Sequence, residues 1–190
     1  LKANFFKAQF AKMEINLIIP DLNEDDFANL TMSRQIRTVK KLIEPNSPVV
    51  LLGSSMGGLL ALLLAEELNN ISKLVLFAPA LQMVKRWTRA ENKEKLDQWK
   101  ATGSTIVYHY GYKKDVPLNY SFMEDLVKHE DENFSKKIPT LIFHGIQDTA
   151  VPHEASANYA KSREYVSYHE LDSDHSLENK VRYMWDIIKP

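Results

Sequence analysis

Two kinds of apolar segment alternate along this chain, and their order limits the folds that it can adopt. Short, continuous apolar runs such as 48–53 and 74–78 have the length and composition of strands that are covered on both faces. Between the runs lie longer segments in which apolar residues recur at helical spacing, or are almost continuous, as at 59–68. Alternation of strands and helices gives a parallel sheet with helices on both faces. The sequence therefore predicts an α/β fold.

The predicted elements run in the order helix, strand, helix, strand, helix, strand, insertion, strand, helix, strand, helix. The predicted helices cover about 3–13, 31–43, 59–68, 153–162 and 177–188, and the predicted strands cover 15–19, 48–53, 74–78, 140–143 and 166–171. Phe6, Phe10 and Met13 form the apolar stripe of the first helix, and Thr31 is the expected N-cap of the second. With 190 residues, the chain is expected to form one domain, 1–190.

A long insertion, at about 81–137, interrupts this alternation. A crossover between parallel strands needs only about a dozen residues, so this segment has room for a structure of its own. It is rich in aromatic residues: Trp87, Trp99, Tyr108, Tyr110, Tyr112, Tyr120 and Phe122. We interpret it as a cap over one edge of the sheet, built from helices with an extended piece at 105–112. The alternative is a helical decoration that only stabilises the edge.

Residues 53–58 read Gly-Ser-Ser-Met-Gly-Gly and lie between a predicted buried strand and a predicted helix. A strand that turns abruptly into a helix imposes strained dihedral angles on the serine at the turn, and neighbours without a Cβ relieve the crowding. Ser55 is therefore the candidate nucleophile. The N–H of Met56, in the first helical turn, is a candidate donor to an oxyanion. The alternative is a tight turn with an incidental serine.

A serine nucleophile needs a base, and His175 is the candidate. It lies in a loop between the last predicted strand and the last predicted helix, where an imidazole can reach Ser55. Five other histidines compete with it: His109, His129, His144, His153 and His169. They lie in the insertion, inside or at the end of strands, or at the start of a helix.

The acid that orients the base is expected from the carboxyl end of another strand. Asp148 follows the predicted strand 140–143 and is preceded by a glycine that permits a sharp loop. An ionised aspartate there would hold the Nδ1–H of the imidazole. Asp172 and Asp174 are rivals, but an acid so close to His175 in sequence points poorly at its ring.

Taken together, three ordered motifs resemble those of the α/β-hydrolase superfamily: residues 53–58, His144-Gly145-x-x-Asp148-x-x-Val151-Pro152, and Asp174-His175. The resemblance spans essentially the whole chain. The segments 139–145 and 20–22 are similar to those of small bacterial esterases of the YqiA-like branch. The resemblance implies the chain order Ser…Asp…His, with Ser55, Asp148 and His175 as the catalytic residues.

The chain departs from this pattern at its start. In such hydrolases an early strand ends in a His-Gly turn, which provides the second oxyanion N–H before the first helix. The printed sequence contains neither the strand nor the turn, and we expect both to lie upstream of it. Without that turn the oxyanion hole would lose one donor, at a cost of about 10² to 10³ in turnover.

The predicted function is a serine hydrolase that cleaves a carboxylic ester or thioester through an acyl-enzyme. The aromatic insertion suggests an apolar acyl or aryl group in this small-molecule substrate. Two alternatives stay open: a peptidase or acyltransferase on the same residues, and a non-catalytic binding protein that retains the fold. Neither a metal nor a cofactor is expected, because no pair of histidines has the i, i+4 spacing with a glutamate and the glycine-rich turn lacks a phosphate-binding lysine.

The charge, hydropathy and cysteine content of the chain bear on its partners and its location. The net charge of −1 offers nothing that attracts nucleic acid, and no apolar run approaches the roughly 20 residues of a membrane helix. The chain has no cysteine, which fits a reducing compartment, and it opens without a signal peptide. We therefore expect a cytoplasmic protein with no membrane span. Its oligomeric state is left open.

Overall fold

The computed structural model describes residues 2–109, 112–129 and 133–190. The described strands are β1 (Val49–Ser54), β2 (Ile71–Phe77), β3 (Ser104–His109), β4 (Lys114–Asn119), β5 (Thr140–Gly145) and β6 (Val166–Leu171). The described helices are α1 (Lys2–Ala11), α2 (Met32–Lys40), α3 (Met56–Glu67), α4 (Met83–Trp87), α5 (Lys93–Thr102), α6 (Ser121–Leu126), α7 (His153–Lys161) and α8 (Val181–Ile188). No helix within these ranges is long and apolar enough to cross a membrane.

The main sheet has the strand order β1-β2-β5-β6, and every neighbouring pair is parallel. The parallel sheet with flanking helices confirms the predicted α/β-hydrolase fold. Because the strands share one direction, the loops that follow them emerge at a single edge of the sheet. The predicted strand 166–171 matches β6 residue for residue, and β1, β2 and β5 lie within three residues of their predicted bounds.

The chain divides into two compact units. The first comprises Leu1–Pro20, Glu44–Leu81 and Ser135–Pro190 and contains the main sheet. The second comprises Asp21–Ile43 and Gln82–Phe134. It therefore contains most of the predicted insertion together with helix α2, and no sequence pattern predicted that α2 belongs with the insertion. The role of the insertion as a cap stays a prediction.

An aromatic cluster forms the core of the first unit. Phe6 on α1 stacks on Phe77 of β2 at a centroid distance of 5.2 Å, and Phe77 stacks on Phe143 of β5 at 5.8 Å. Trp185 of α8 meets Phe10 edge to face at 4.9 Å. These contacts pack α1 and α8 against the sheet, so the two terminal helices cover a common apolar face.

The sequence prediction was wrong at two places near the start of the first unit. Residues 15–19 do not form a strand. The described strands include none that pairs with this segment, and a strand needs a hydrogen-bonded neighbour. Leu17 still packs against the aromatic core, whereas Ile18 is 56% exposed. Met13 lies beyond the end of α1 and is 42% exposed, so it does not extend the buried stripe.

The second unit contains a hairpin that the sequence indicated only in part. The predicted extended piece 105–112 corresponds to β3, but this strand pairs antiparallel with β4, which was not predicted. The charges and Pro117 of β4 are atypical of a strand interior. A proline is tolerated here because each strand of a two-stranded sheet has an open edge. Tyr110, one of the aromatic residues of the insertion, lies outside the described residues.

Helix α2 begins as the sequence predicted. The hydroxyl of Thr31 accepts a hydrogen bond from the backbone N–H of Arg34 at 3.1 Å, which is the geometry of an N-cap. Met32 and Ile36 of this helix are buried.

Candidate active site

The three predicted catalytic residues follow three strands of the main sheet at their carboxyl ends. Ser55 follows β1 directly, Asp148 lies three residues after β5, and His175 lies four residues after β6. The parallel direction of the strands brings the three turns to one edge. The structure thus brings together residues that are up to 120 positions apart in the chain.

Ser55 occupies a strained turn between β1 and α3. Its φ of 54° and ψ of −119° lie in a region that a residue with a side chain rarely adopts. The surrounding hydrogen bonds hold it there: its N–H donates to the carbonyl of Phe77 at 2.9 Å, and its carbonyl accepts from the N–H of Ala80 at 3.0 Å. The hydroxyl is therefore presented by a backbone that is anchored to the neighbouring strand.

Two glycines allow the loops at this edge to approach one another. A Cβ on Gly53 would lie 2.2 Å from the carbonyl oxygen of Gly57, so β1 could not turn so tightly into α3 with a larger residue. A Cβ on Gly145 would lie 2.2 Å from the carbonyl oxygen of Ser173. The second glycine therefore permits a close approach between the loop of Asp148 and the loop of His175.

His175 lies between the serine and the aspartate. Its Nε2 is 3.0 Å from the Oγ of Ser55, and its Nδ1 is 2.6 Å from the Oδ2 of Asp148. The imidazole is 15% exposed, whereas the carboxylate is fully buried. This arrangement can move a proton from the hydroxyl to Nε2 while the carboxylate fixes the ring and stabilises its positive charge.

Asp148 is fixed through both of its carboxylate oxygens. Oδ1 accepts hydrogen bonds from the backbone N–H groups of Ala150 and Val151, each at 2.8 Å, and Oδ2 faces His175 and His144. Burial by itself raises the pKa of Asp148, but the hydrogen bonds from His144, His175 and the Val151 amide outweigh burial and hold the pKa well below its ordinary value. The carboxylate of Asp148 is therefore ionised in the folded protein at neutral pH.

The loop of His175 is also tied to the start of α1. The ammonium group of Lys2 donates to the carbonyl of Ser176 at 2.9 Å. Burial lowers the pKa of Lys2 to about 8, against the opposing attraction of Glu178, Asp174 and Asp148. This contact joins the residue after His175 to a helix that packs in the aromatic core.

The rival residues have other partners. Asp172 accepts a hydrogen bond from the side chain of Gln147, and Asp174 accepts two from Ser176. The remaining histidines lie near other side chains: His109 near Tyr112, His129 near Ser33, His144 near Asp148, His153 near Glu170, and His169 near Phe143. Sequence reasoning set Asp172 and Asp174 aside because they lie so close to His175 in the chain, and it favoured His175 over the other histidines because of its loop position and the chain order Ser…Asp…His.

Sequence reasoning treated His144 as a competitor for the role of base and as part of a family motif, but it missed the contact between His144 and Asp148. The available signal was its place at the end of a buried strand, four residues before Asp148. The side chain of His144 is fully buried.

The N–H of Met56 is the first of helix α3, so helix geometry leaves it without an acceptor inside the helix. It points from the positive end of the helix, beside Ser55. A developing oxyanion could be stabilised there. Its role as a donor to the oxyanion stays a prediction.

Solved structures with the same fold cover nearly the whole chain. The mouse protein named alpha/beta hydrolase domain-containing protein 10 is 18% identical, with a TM-score of 0.74 over 99% of this chain and 82% of its own. The esterase domain of a Rhodothermus marinus protein is 17% identical, with a TM-score of 0.67 over 99% and 78%. Est1E from Butyrivibrio proteoclasticus is 21% identical, with a TM-score of 0.66 over 84% and 68%. At these identities the likeness establishes the fold, and a search of curated proteins found no match.

The sequence profile of one family matches residues 1–189. This match agrees with the YqiA-like branch to which the motifs were similar. The parallel sheet and the solved structures show the α/β-hydrolase fold. The chain belongs to the uncharacterised protein family UPF0227.

Proposed function

We propose that this protein is a serine hydrolase that cleaves a carboxylic ester or thioester through an acyl-enzyme. The observation that carries the proposal is the continuous hydrogen-bonded series from Ser55 through His175 to Asp148, with spacings of 3.0 and 2.6 Å. Its first member sits on a strained turn that presents the hydroxyl. The esterase domain among the structures of the same fold is consistent with this chemistry.

In the first half of the reaction, the Oγ of Ser55 attacks the carbonyl carbon while Nε2 of His175 takes the hydroxyl proton. The negative charge on the former carbonyl oxygen faces the N–H of Met56. Collapse of the tetrahedral intermediate breaks the bond to the alcohol or thiol, which leaves with the proton from His175. The acyl group is then bound to Ser55.

In the second half, water attacks the acyl carbon, and His175 takes a proton from it. The second tetrahedral intermediate releases the carboxylic acid, and the proton returns to Ser55. Asp148 stays ionised throughout, since its role is to orient the imidazole and stabilise the imidazolium.

The proposal is tested by assaying full-length protein against p-nitrophenyl esters of increasing acyl length, the corresponding thioesters and matched anilides. We expect turnover of esters or thioesters well above that of the anilides, and loss of that turnover after treatment with a fluorophosphonate. Absence of both turnover and inactivation would contradict the proposal. Faster cleavage of anilides than of esters would instead indicate a peptidase.

A further inference from the structure

A second histidine contacts the acid of the site. The Nε2 of His144 lies 3.1 Å from the Oδ2 of Asp148 and 3.1 Å from the carbonyl oxygen of Val151. Its Nδ1 lies 2.8 Å from the Oγ of Ser156 on α7. His144 and Ser156 are both 0% exposed, so the protein itself supplies these polar partners.

These partners determine which ring nitrogen of His144 carries the hydrogen. The two neighbours of Nε2 are a carboxylate oxygen and a carbonyl oxygen, and both can only accept. Nε2 must therefore carry a hydrogen and donate it. Ser156 can donate as well as accept, so its hydroxyl can satisfy Nδ1 of a neutral ring. The surroundings thus favour the tautomer in which Nε2 points its N–H at the acid.

Asp148 consequently receives two imidazole N–H groups on one oxygen. His175 donates from the loop after β6, and His144 donates from β5. With the two backbone N–H groups on Oδ1, the carboxylate has four donors around it. Rotation of the carboxylate would break several of these bonds at once, in a place where water cannot replace them.

We propose that His144 is a positioning residue that holds the carboxylate of Asp148 in the orientation that His175 needs. This inference rests on the proposed function, because it assigns His144 to the same reaction. His144 touches neither Ser55 nor the reacting atoms in this arrangement; it acts through the acid.

The imidazole of His144 also helps to keep the pKa of Asp148 low. Three titratable groups act on Asp148: His144 and His175 by hydrogen bonds, and Lys2 at longer range. Asp174 and Glu178 act in turn on Lys2. Withdrawing the donor at position 144 removes one of the bonds that keep the pKa of Asp148 low, so the carboxylate would take up a proton at a higher pH than in the native protein.

The test compares His144→Asn with His144→Gln, two amides that differ by one methylene. The amide of glutamine reaches the place of Nε2 and can donate to Asp148. The amide of asparagine reaches only the place of Nδ1, beside Ser156. We expect His144→Asn to lower kcat/KM by up to about 100-fold, the cost of a misplaced catalytic group, and to raise the pH at which the carboxyl carbon-13 signal of Asp148 titrates. We expect His144→Gln to recover most of the activity and the native titration of that signal.

A matched control is Thr140→Val on the same strand, which removes a buried hydroxyl that bonds the carbonyl of Ile138 rather than the site. We expect it to lower the melting temperature without moving the titration of the Asp148 carboxyl signal. Equal losses in His144→Asn and His144→Gln, or a native titration of the Asp148 carboxyl signal in His144→Asn, would overturn the inference by showing that His144 serves packing alone.

Nitrogen-15 NMR of the native protein tests the inference without any variant and without turnover. We expect the tautomer of His144 that carries hydrogen on Nε2, with a correlation between that hydrogen and the carboxylate of Asp148. Hydrogen on Nδ1 alone would overturn the inference. If the native protein neither turns over esters nor reacts with a fluorophosphonate, the proposed function fails, and the NMR result still decides whether His144 orients the acid.

Discussion

The Nδ1 of His175 lies 2.6 Å from the Oδ2 of Asp148, although 27 residues separate them in the chain. Each residue is in the loop after one of two neighbouring parallel strands, β6 and β5. The register of these strands places Gly145 opposite Leu171, so the two loops start at the same level of the sheet. The contact between His175 and Asp148 is therefore a consequence of sheet topology and of a glycine that allows close approach.

Replacement of the nucleophile should abolish activity, whereas replacement of its neighbour should not. We expect Ser55→Ala to lower kcat for ester hydrolysis by at least about 10⁴-fold, because no other group can form the acyl-enzyme. Ser54→Ala is the control, since this serine lies on the same turn with an exposed side chain. Steady-state kinetics on a p-nitrophenyl ester measures both. Comparable losses in the two variants would argue against Ser55 as the nucleophile.

Replacement of the acid distinguishes Asp148 from its nearest rival. Asp148→Asn should lower kcat by about 10⁴-fold, because an amide N–H facing Nδ1 favours the wrong tautomer of His175. Asp174→Asn alters the residue next to His175 and should stay within a few-fold of the native protein, since Asp174 bonds Ser176 instead. The kinetics of the two variants should be compared at equal folded fraction by circular dichroism. A larger loss in Asp174→Asn would transfer the role of the acid to that residue.

The tight turn before the nucleophile makes a prediction about stability. Gly53→Ala should lower the free energy of unfolding by about 1–3 kcal/mol or more, because the new Cβ would overlap the carbonyl of Gly57. Gly57→Ala has no heavy atom within 4 Å of its added Cβ and lies in helix α3. It should leave the free energy unchanged or raise it by up to ~1 kcal/mol. Urea unfolding measures both; an equal effect would refute the steric explanation.

The lowered pKa of Asp148 also makes stability depend on pH. Its pKa in the folded protein is below the unfolded value of about 3.9, so the ionised carboxylate stabilises the fold above that pH. This contribution is lost as the pH falls through the folded pKa. We therefore expect the difference in unfolding free energy between the native protein and Asp148→Asn to be largest near pH 7 and to shrink below about pH 4. A difference that stays constant down to pH 3 would contradict this assignment.

The fold and the three candidate residues could be predicted because short stretches of the sequence, read one at a time, indicate each of them. The predicted runs within β1, β2 and β5 are largely apolar, whereas β6 mixes apolar residues with Ser167, His169 and Glu170. After three of these strands comes a residue whose side chain suits one role in the candidate site. The interpretation of Ser55 needed only its strand–turn–helix context. His175 was favoured by its loop position and the chain order Ser…Asp…His, and Asp148 was favoured because it follows another strand and lies far from His175 in sequence.

Other features depend on contacts that local patterns do not record. The segment 15–19 is apolar enough for a strand, but pairing decides whether a strand forms, and the described strands offer it no partner. Strand β4 is too polar, and contains a proline, to be recognised without β3 beside it. The role of His144 depends on the burial of its ring among Asp148, Val151 and Ser156, which only the assembled loops define.

The proposed nucleophile and base are tested most directly by peptide mapping with mass spectrometry after full-length protein has reacted with a fluorophosphonate. We expect one adduct per chain, located on Ser55, and greatly slowed labelling in His175→Ala, because that variant lacks the base that activates the hydroxyl. An adduct on Ser54 or on any other residue, or labelling of Ser55 that is equally fast without His175, would contradict it.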